Sequence, residues 1–246
     1  MARMGDLPEA RAMFEEVRAT RRRLLGDDHA DTVASMSALA IALAMHGQSH
    51  DAVELQRQVV AVQERRLGSE HPDTLAARGN LASMLSDSGD TEGAIGEAEA
   101  VAEARRRVLG AEHPVTLRGI LNLASLRARL DDFEGALPLE EQVLEARTRL
   151  LGPEHPDTLF IALNHGMTLS RAGRLREAQD LFAATMPRAL EVLGTRHPQY
   201  QLAMTAWGIT LEDAGDLAGA AARLGEALAL REQSLPPGAH QVVDTA

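Results

Sequence analysis

Leu67-Gly68-Ser69-Glu70-His71-Pro72-Asp73-Thr74 is the stretch that decides the fold, because it returns. Leu-Gly-x-x-His stands at Leu25, Gly26 and His29, at Leu67, Gly68 and His71, at Leu109, Gly110 and His113, at Leu151, Gly152 and His155, and at Leu193, Gly194 and His197, with a step of 42 residues throughout. Working outward, Ala10, Ala52, Ala94, Ala136, Ala178 and Ala220 keep the same step. A third column runs Gly5, Gly47, Gly89, Gly173 and Gly215, with Asp131 in its one gap. Three columns in phase mark the protein as a tandem array of one supersecondary unit.

Each unit reads as two helices. In the unit that begins at Gly68, Pro72 suits a first helical turn, where its missing N–H costs nothing. Asp73 and Thr74 are expected to place acceptors beside the free amides there. Apolar spacing continues through Leu75, Leu81, Met84 and Leu85 to a stop at Gly89. The second helix is predicted from about Thr91 to Leu109, with Gly110 as its left-handed C-cap. Ala82 and Ala94 are small enough to let the two backbones approach closely. Alternating β-branched runs and hairpin turns are absent, so the fold is expected to be all-α. Helix pairs of this kind stack into a solenoid.

The order Asn80-Leu81-Ala82, Leu85, Gly89, Ala94 resembles the signature of the tetratricopeptide repeat (TPR) superfamily. The 42-residue period and the Leu-Gly-x-x-His-Pro-x-Thr linker resemble its kinesin-light-chain type, a type widespread in bacterial signalling proteins. The resemblance implies a right-handed superhelical solenoid of antiparallel helix pairs. It covers nearly all of the sequence as a single array. Residues 1–25 would be the second helix of an incomplete repeat, 26–67, 68–109, 110–151, 152–193 and 194–235 five repeats, and 236–246 the start of a further linker. Large aromatics are mostly replaced by Leu, Met and Ala, with Phe14, Phe182 and Trp207 as exceptions. Arg127 stands where other units have Leu43, Leu85, Leu169 and Leu211, and Leu126 and Leu130 are expected to re-register that helix.

Charge and composition exclude several functions. The protein has 246 residues, a formal net charge of −11, no cysteine and 2% aromatics. All 25 basic residues are Arg. An acidic protein lacks the positive excess that nucleic acid or an anionic membrane surface requires. Without cysteine there is no disulfide, thiolate zinc site or cysteine nucleophile. No run approaches the ~18 apolar residues of a membrane span, and the first ten residues lack a signal-peptide apolar core. The expectation is a cytoplasmic protein. Successive linker histidines would lie ~10 Å apart along a helix stack, too far to share a ~2 Å coordination sphere. No GxSxG, HExxH, P-loop or GxGxxG pattern occurs. The protein is therefore expected to be no enzyme and to need no cofactor or metal.

Two arrangements of side chains carry the functional reading. Arg23, Arg65, Arg107 and Arg149 are each followed five residues on by Asp28, Glu70, Glu112 or Glu154, and the signs exchange at Glu191 and Arg196. This predicts a ladder of exposed ion pairs worth at most ~1 kcal/mol each. In the register that the TPR resemblance supplies, Asn80, Asn122 and Asn164 fall on the concave wall, where their amides can clamp the main chain of an extended peptide. The same register puts Arg118, Leu121, Ser125 and Arg129 on the wall of one unit, and Phe160, Leu163, Met167, Ser170 and Arg171 on the next. These positions suit an apolar segment carrying an acidic group. The expectation is a non-catalytic scaffold that binds a protein or peptide. The alternative is a regulatory or sensor arm of a larger signalling protein, such as a nucleotide-dependent switch, contacting its own effector domain. The sequence begins and ends inside a unit, which predicts unpartnered apolar faces around Leu7, Phe14 and Val17 and around Leu224, Leu228 and Leu235. Such faces would serve end-to-end self-association, or contact with other parts of a longer protein.

Overall fold

The computed structural model describes the backbone of residues 7–234, and side chains from Glu15 to Arg231 apart from Arg18. Among the described residues there are eleven helices and no strand. They fall into two compact units divided after Leu130. Unit 1 holds α1 (Leu7–Leu25), α2 (Ala30–Met45), α3 (Ser49–Leu67), α4 (Pro72–Ser88), α5 (Thr91–Leu109) and α6 (Pro114–Arg129). Unit 2 holds α7 (Phe133–Leu151), α8 (Pro156–Arg171), α9 (Leu175–Leu193), α10 (Pro198–Asp213) and α11 (Leu217–Ser234). Within each unit every helix packs on the next, and short turns make neighbours antiparallel.

The alanine column explains the close pairing. Ala52 and Ala136 are wholly buried, as is Ala178, and Ala94 and Ala220 are nearly so. A larger side chain at these points would hold paired helices apart. Beside it Val59, Val101 and Val143 fill the interior of their pairs at 0–2% exposure, each burial contributing ~1.5–3 kcal/mol. Ala10, the first member of the column, lies outside the described side chains, as do Leu7, Phe14 and Leu235. Of the predicted end faces, Val17 is 42% exposed and Leu228 59%, while Leu224 is half-buried.

The helix starts differ from the sequence expectation. Neither Asp73 nor Thr74 caps α4 with its side chain; His71 does, its Nδ1 accepting from the Asp73 amide at 3.2 Å. His29, His113, His155 and His197 cap α2, α6, α8 and α10 in the same way. The bond holds each ring with its Nδ1 toward the first turn of the helix. Thr74 is turned into the helix pair, fully buried, with no partner for its hydroxyl. The helix ends differ too. Gly89 takes the left-handed conformation, with φ 88° and ψ 0°. Gly110 has φ 93° and ψ 158°, an extended conformation that is essentially glycine's alone. Asp131 replaces the glycine of its column and holds φ 59°, which its short polar side chain tolerates.

The charge ladder forms with a different pairing from the expected one. Arg65 reaches Asp28 at 3.1 Å and Arg107 reaches Glu70 at 2.7 Å, each pair 37 residues apart. Arg65 and Arg107 thus meet the acid 37 residues before them, and not the acid five residues on. This corrects the reading of the sign exchange, because the same offset sets Glu154 against Glu191, two acids. Arg127, the exception in the leucine column, is half-buried and bonds Glu99, while Leu126 takes the core position beside it.

Candidate functional site

In unit 1 a cavity of about 200 Å³ opens between α4 and α6, with α5 as its floor. α4 contributes Gly79, Ser83 and Asp87, spaced four apart on one helical face. α6 contributes Asn122, Ser125 and Arg129, three of the residues the sequence assigns to the wall. The Asn122 and Ser125 side chains are exposed. Arg129 lies 3.9 Å from Asp87, linking α6 to α4 beside the opening. Arg118, one helical turn before Asn122, is exposed. Asn80 is also exposed and lines a separate, larger cavity of about 740 Å³ between α2 and α4, whose wall includes Ala34, Ser37 and Ile41.

In unit 2, α8 and α10 pack directly on one another. Phe160 remains 45% exposed on α8, and Leu202 and Ile209 on α10 are 55% and 45% exposed. Asn164 is half-buried, and its Oδ1 accepts from Gln199 Nε2 at 2.7 Å. Its amide is therefore partly committed to holding α10, unlike those of Asn80 and Asn122. Met167 is half-buried against the cluster around Phe182 and Met204. Arg171 donates to Asp131 at 2.8 Å and lies over the Phe133 ring at 5.2 Å. A separate buried triad joins α7 to α8: Glu140 accepts from Thr168 at 2.9 Å and faces His165 Nδ1 at 2.9 Å.

Sequence reasoning missed Arg105. It comes from α5, a second helix, yet its guanidinium forms part of the cavity between the two first helices α4 and α6. Burial, and then the positive charge of Arg118, lowers its pKa from the ordinary guanidinium value. Gly79 and Gly119 lie on either side of it. No group of three His, Cys, Asp or Glu with metal-site geometry occurs among the described residues. No described helix is long and apolar enough to cross a membrane.

Residues 1–65, 73–149, 117–188 and 160–233 match the family profile described as tetratricopeptide repeat. The chain belongs to the tetratricopeptide repeat family. The TPR fold here is all-α, built from stacked helix pairs, and its solved relatives include proteins of the kinesin-light-chain kind. A set of nearly identical TPR-like repeats from Podosopora anserina, named after kinesin light chains, shares 27% identity, covers 84% of this chain and 98% of its own, and superposes with a TM-score of 0.74. BtubC (BKLC) from P. vanneervenii shares 21% identity over 92% of this chain and 91% of its own, with a TM-score of 0.75. YrrB, a TPR protein with an unusual peptide-binding site, shares 17% identity over 87% of this chain and 92% of its own, with a TM-score of 0.54. The last two establish likeness of fold alone. No curated protein matches the sequence.

Proposed function

We propose that this TPR protein is a non-catalytic scaffold whose first-helix surfaces bind an extended segment of a protein partner, one that carries an acidic group. TPR folds mediate protein and peptide binding, and scaffolds of this kind are typically non-catalytic. The observation that carries the reading is the exposure of the Asn80 and Asn122 side chains at the same register of α4 and α6, with Asn122 lining a cavity beside Ser125 and Arg129. An exposed primary amide offers both a donor and an acceptor to a peptide backbone without selecting its side chains. Arg118 and Arg129 supply the preference for an acidic group. In unit 2 the corresponding surface is Phe160, Asn164, Met167 and Arg171, which is more apolar and suits side-chain contacts. The repeat boundaries 26–67, 68–109, 110–151, 152–193 and 194–235 belong to the same proposal.

The test is selection of peptides from a random display library on the whole protein, followed by titration of synthetic versions. Asn122→Ala should weaken binding by ~1–3 kcal/mol if it leaves a peptide polar group unpaired, while thermal stability stays within ~0.5 kcal/mol, as for a surface substitution. Selected peptides that bind Asn80→Ala and Asn122→Ala as tightly as the parent would overturn the clamp.

A further inference from the structure

Unit 2 has a second opening, on the side of its second helices. A cavity of about 780 Å³ lies between the first half of α7 and the start of α9, with α8 behind it. Its apolar floor is Phe133, Leu137 and Pro138 from α7, with Ala172 at the end of α8. Five carboxylates line it, against one arginine, Arg174. That arginine is already taken, donating to both oxygens of Glu177 at 2.7 and 2.5 Å. Asp131 accepts from Arg171, and Asp132 caps α7. Glu134 and Glu141 are exposed and make no ion pair among the described residues.

The interior behind the cavity departs from the repeat. Leu39, Leu81 and Leu123 fill one buried position of the earlier first helices, and His165 takes that position in α8. Its side chain is 12% exposed and lines the cavity. Nδ1 lies 2.9 Å from one oxygen of Glu140, whose other oxygen accepts from Thr168. A carboxylate only accepts, so this contact needs a proton on Nδ1, and the neutral ring then carries its free lone pair on Nε2. Nε2 has no partner among the described residues. Pro138 has no N–H, so the Glu134 carbonyl lacks the donor that a helix would give it four residues on. Among the lining side chains, the groups with bonding capacity left are acceptors.

The preceding repeat shows what such an acid accepts. Glu99 stands 42 residues before Glu141, and half-buried Arg127 of α6 donates to it. Arg127 is the exception in a column of leucines, and its counterpart in α8 is Leu169, buried at 4% exposure. The chain's own arginine thus serves Glu99, and Glu141 has none in that register.

We propose that this cavity seats an arginine side chain of a partner protein, its guanidinium on Glu141 and His165 Nε2 and its methylene stem along Leu137 and Pro138. A guanidinium carries five donors and no acceptor, which matches a lining with only acceptors to spare. Its planar fork also meets a carboxylate through two parallel bonds, which a lysine ammonium does not. The net charge of −11 favours the approach of a basic segment. The seat is independent of the first-helix wall, since Phe160, Asn164 and Met167 do not line it.

The experiment titrates the whole protein, at constant ionic strength, with N-acetyl-Leu-Arg-Leu-amide and with counterparts that carry lysine or citrulline in the middle. Citrulline keeps the shape of arginine without its charge. The backbone amides of Leu137, Glu141 and Ala172 and the ring protons of His165 are followed by NMR. A saturable shift with the arginine peptide, weaker binding of the lysine peptide and none of the citrulline peptide is the expected result. Glu141→Gln should weaken arginine binding about tenfold, a loss equal to ~1.4 kcal/mol. Glu191→Gln removes the same charge from an exposed position near the far end of α9 and should leave binding unchanged. Glu140→Ala with His165→Leu rebuilds the interior of the preceding repeat, where Ala98 and Leu123 stand, and should weaken binding as well. If that double variant does not fold, Glu141→Gln against Glu191→Gln decides. No saturable shift, lysine or citrulline bound as tightly as arginine, equal losses from Glu141→Gln and Glu191→Gln, or unchanged binding in the folded double variant would each overturn the seat. Arginine binding here in a protein whose first-helix wall selects no peptide leaves the seat standing and overturns the peptide clamp alone.

Discussion

Two glycine-to-alanine substitutions should move stability in opposite directions. Gly96 is exposed within α5, and a Cβ built on it meets nothing within 4 Å. Gly96→Ala should therefore stabilise by about 0.5–1 kcal/mol, through helix propensity and a less flexible unfolded state. Gly166 lies within α8 against Phe182, where a Cβ would come 2.8, 3.0 and 3.2 Å from three ring carbons. Carbon atoms in good contact sit ~3.5–4.0 Å apart, so the overlap is roughly 0.7 Å. Phe182 is fully buried in a cluster with Met186, Tyr200 and Met204, which leaves its ring nowhere to swing. Overpacking of this kind costs ~1–3 kcal/mol; less the propensity gain, Gly166→Ala should lose about 1–2 kcal/mol net. Urea unfolding followed by helical circular dichroism gives the sign and size. Repeat arrays lose strict two-state behaviour, so hydrogen exchange resolved by segment is needed to locate the effect. Exchange should quicken in α8 to α10 and stay unchanged in α2 to α5. A Gly166→Ala protein as stable as its parent would show that Phe182 can yield, and that the close contact is no constraint.

His71→Ala removes the acceptor that holds the Asp73 amide, and should cost ~0.5–2 kcal/mol. His71→Asn keeps a capping oxygen and should cost less, with exchange in the first turn of α4 as the readout. Tyr200 is the only tyrosine. Burial, and then the negative charge of Glu226, raises its pKa from the ordinary phenol value, with Arg223 acting against the shift. An unfolded tyrosine ionises near pH ~10, and the folded one only at higher pH. Stability from this group is thus complete below pH ~10 and is lost as pH rises through the folded value. Tyr200→Phe should flatten this alkaline loss in urea titrations, and phenolate absorbance should rise together with unfolding in the parent.

The helices were legible because punctuation marks their ends. Pro72 and Gly110 bracket a pair whose boundaries fall where the pattern put them, with α5 at Thr91–Leu109. The caps were less legible. Asp and Thr are strong cap residues in general, and the actual cap follows from the ring of His71 turning back toward its own helix. The wall residues Asn122, Ser125 and Arg129 came from register alone, since a first helix shows one face to the opening. Arg105 was hidden by that same rule, because a second-helix side chain reaches the opening only where its neighbours are glycine. The signal lay in Gly79 and Gly119, which depart from the pattern together. Asn164 shows the converse case: its register matches that of Asn122, but Gln199 in the next repeat occupies its carbonyl oxygen.

The ladder joining Asp28 to Arg65 and Glu70 to Arg107 carries a rule for rebuilding the array. With the proposed boundaries, both members of each pair lie inside one 42-residue repeat, near its opening and near its close. A module lifted out at the Leu-Gly junctions, such as residues 68–109, therefore brings its own charge match and asks none of its neighbours. A module lifted out at the other turn, at Gly89, leaves Glu70 behind and takes Arg107 with it, so every copy depends on the one before. The later repeats lack this property. In the sequence the same offset falls on two acids, Glu154 and Glu191, and on Arg196 and the neutral Gln233, so neither repeat offers an opposite-charge pair there. Exposed contacts of this kind are weak, too little to hold an array together but summed over many copies enough to favour one building block over another. Lengthening this protein by design is therefore better done from residues 26–109 than from its last repeats.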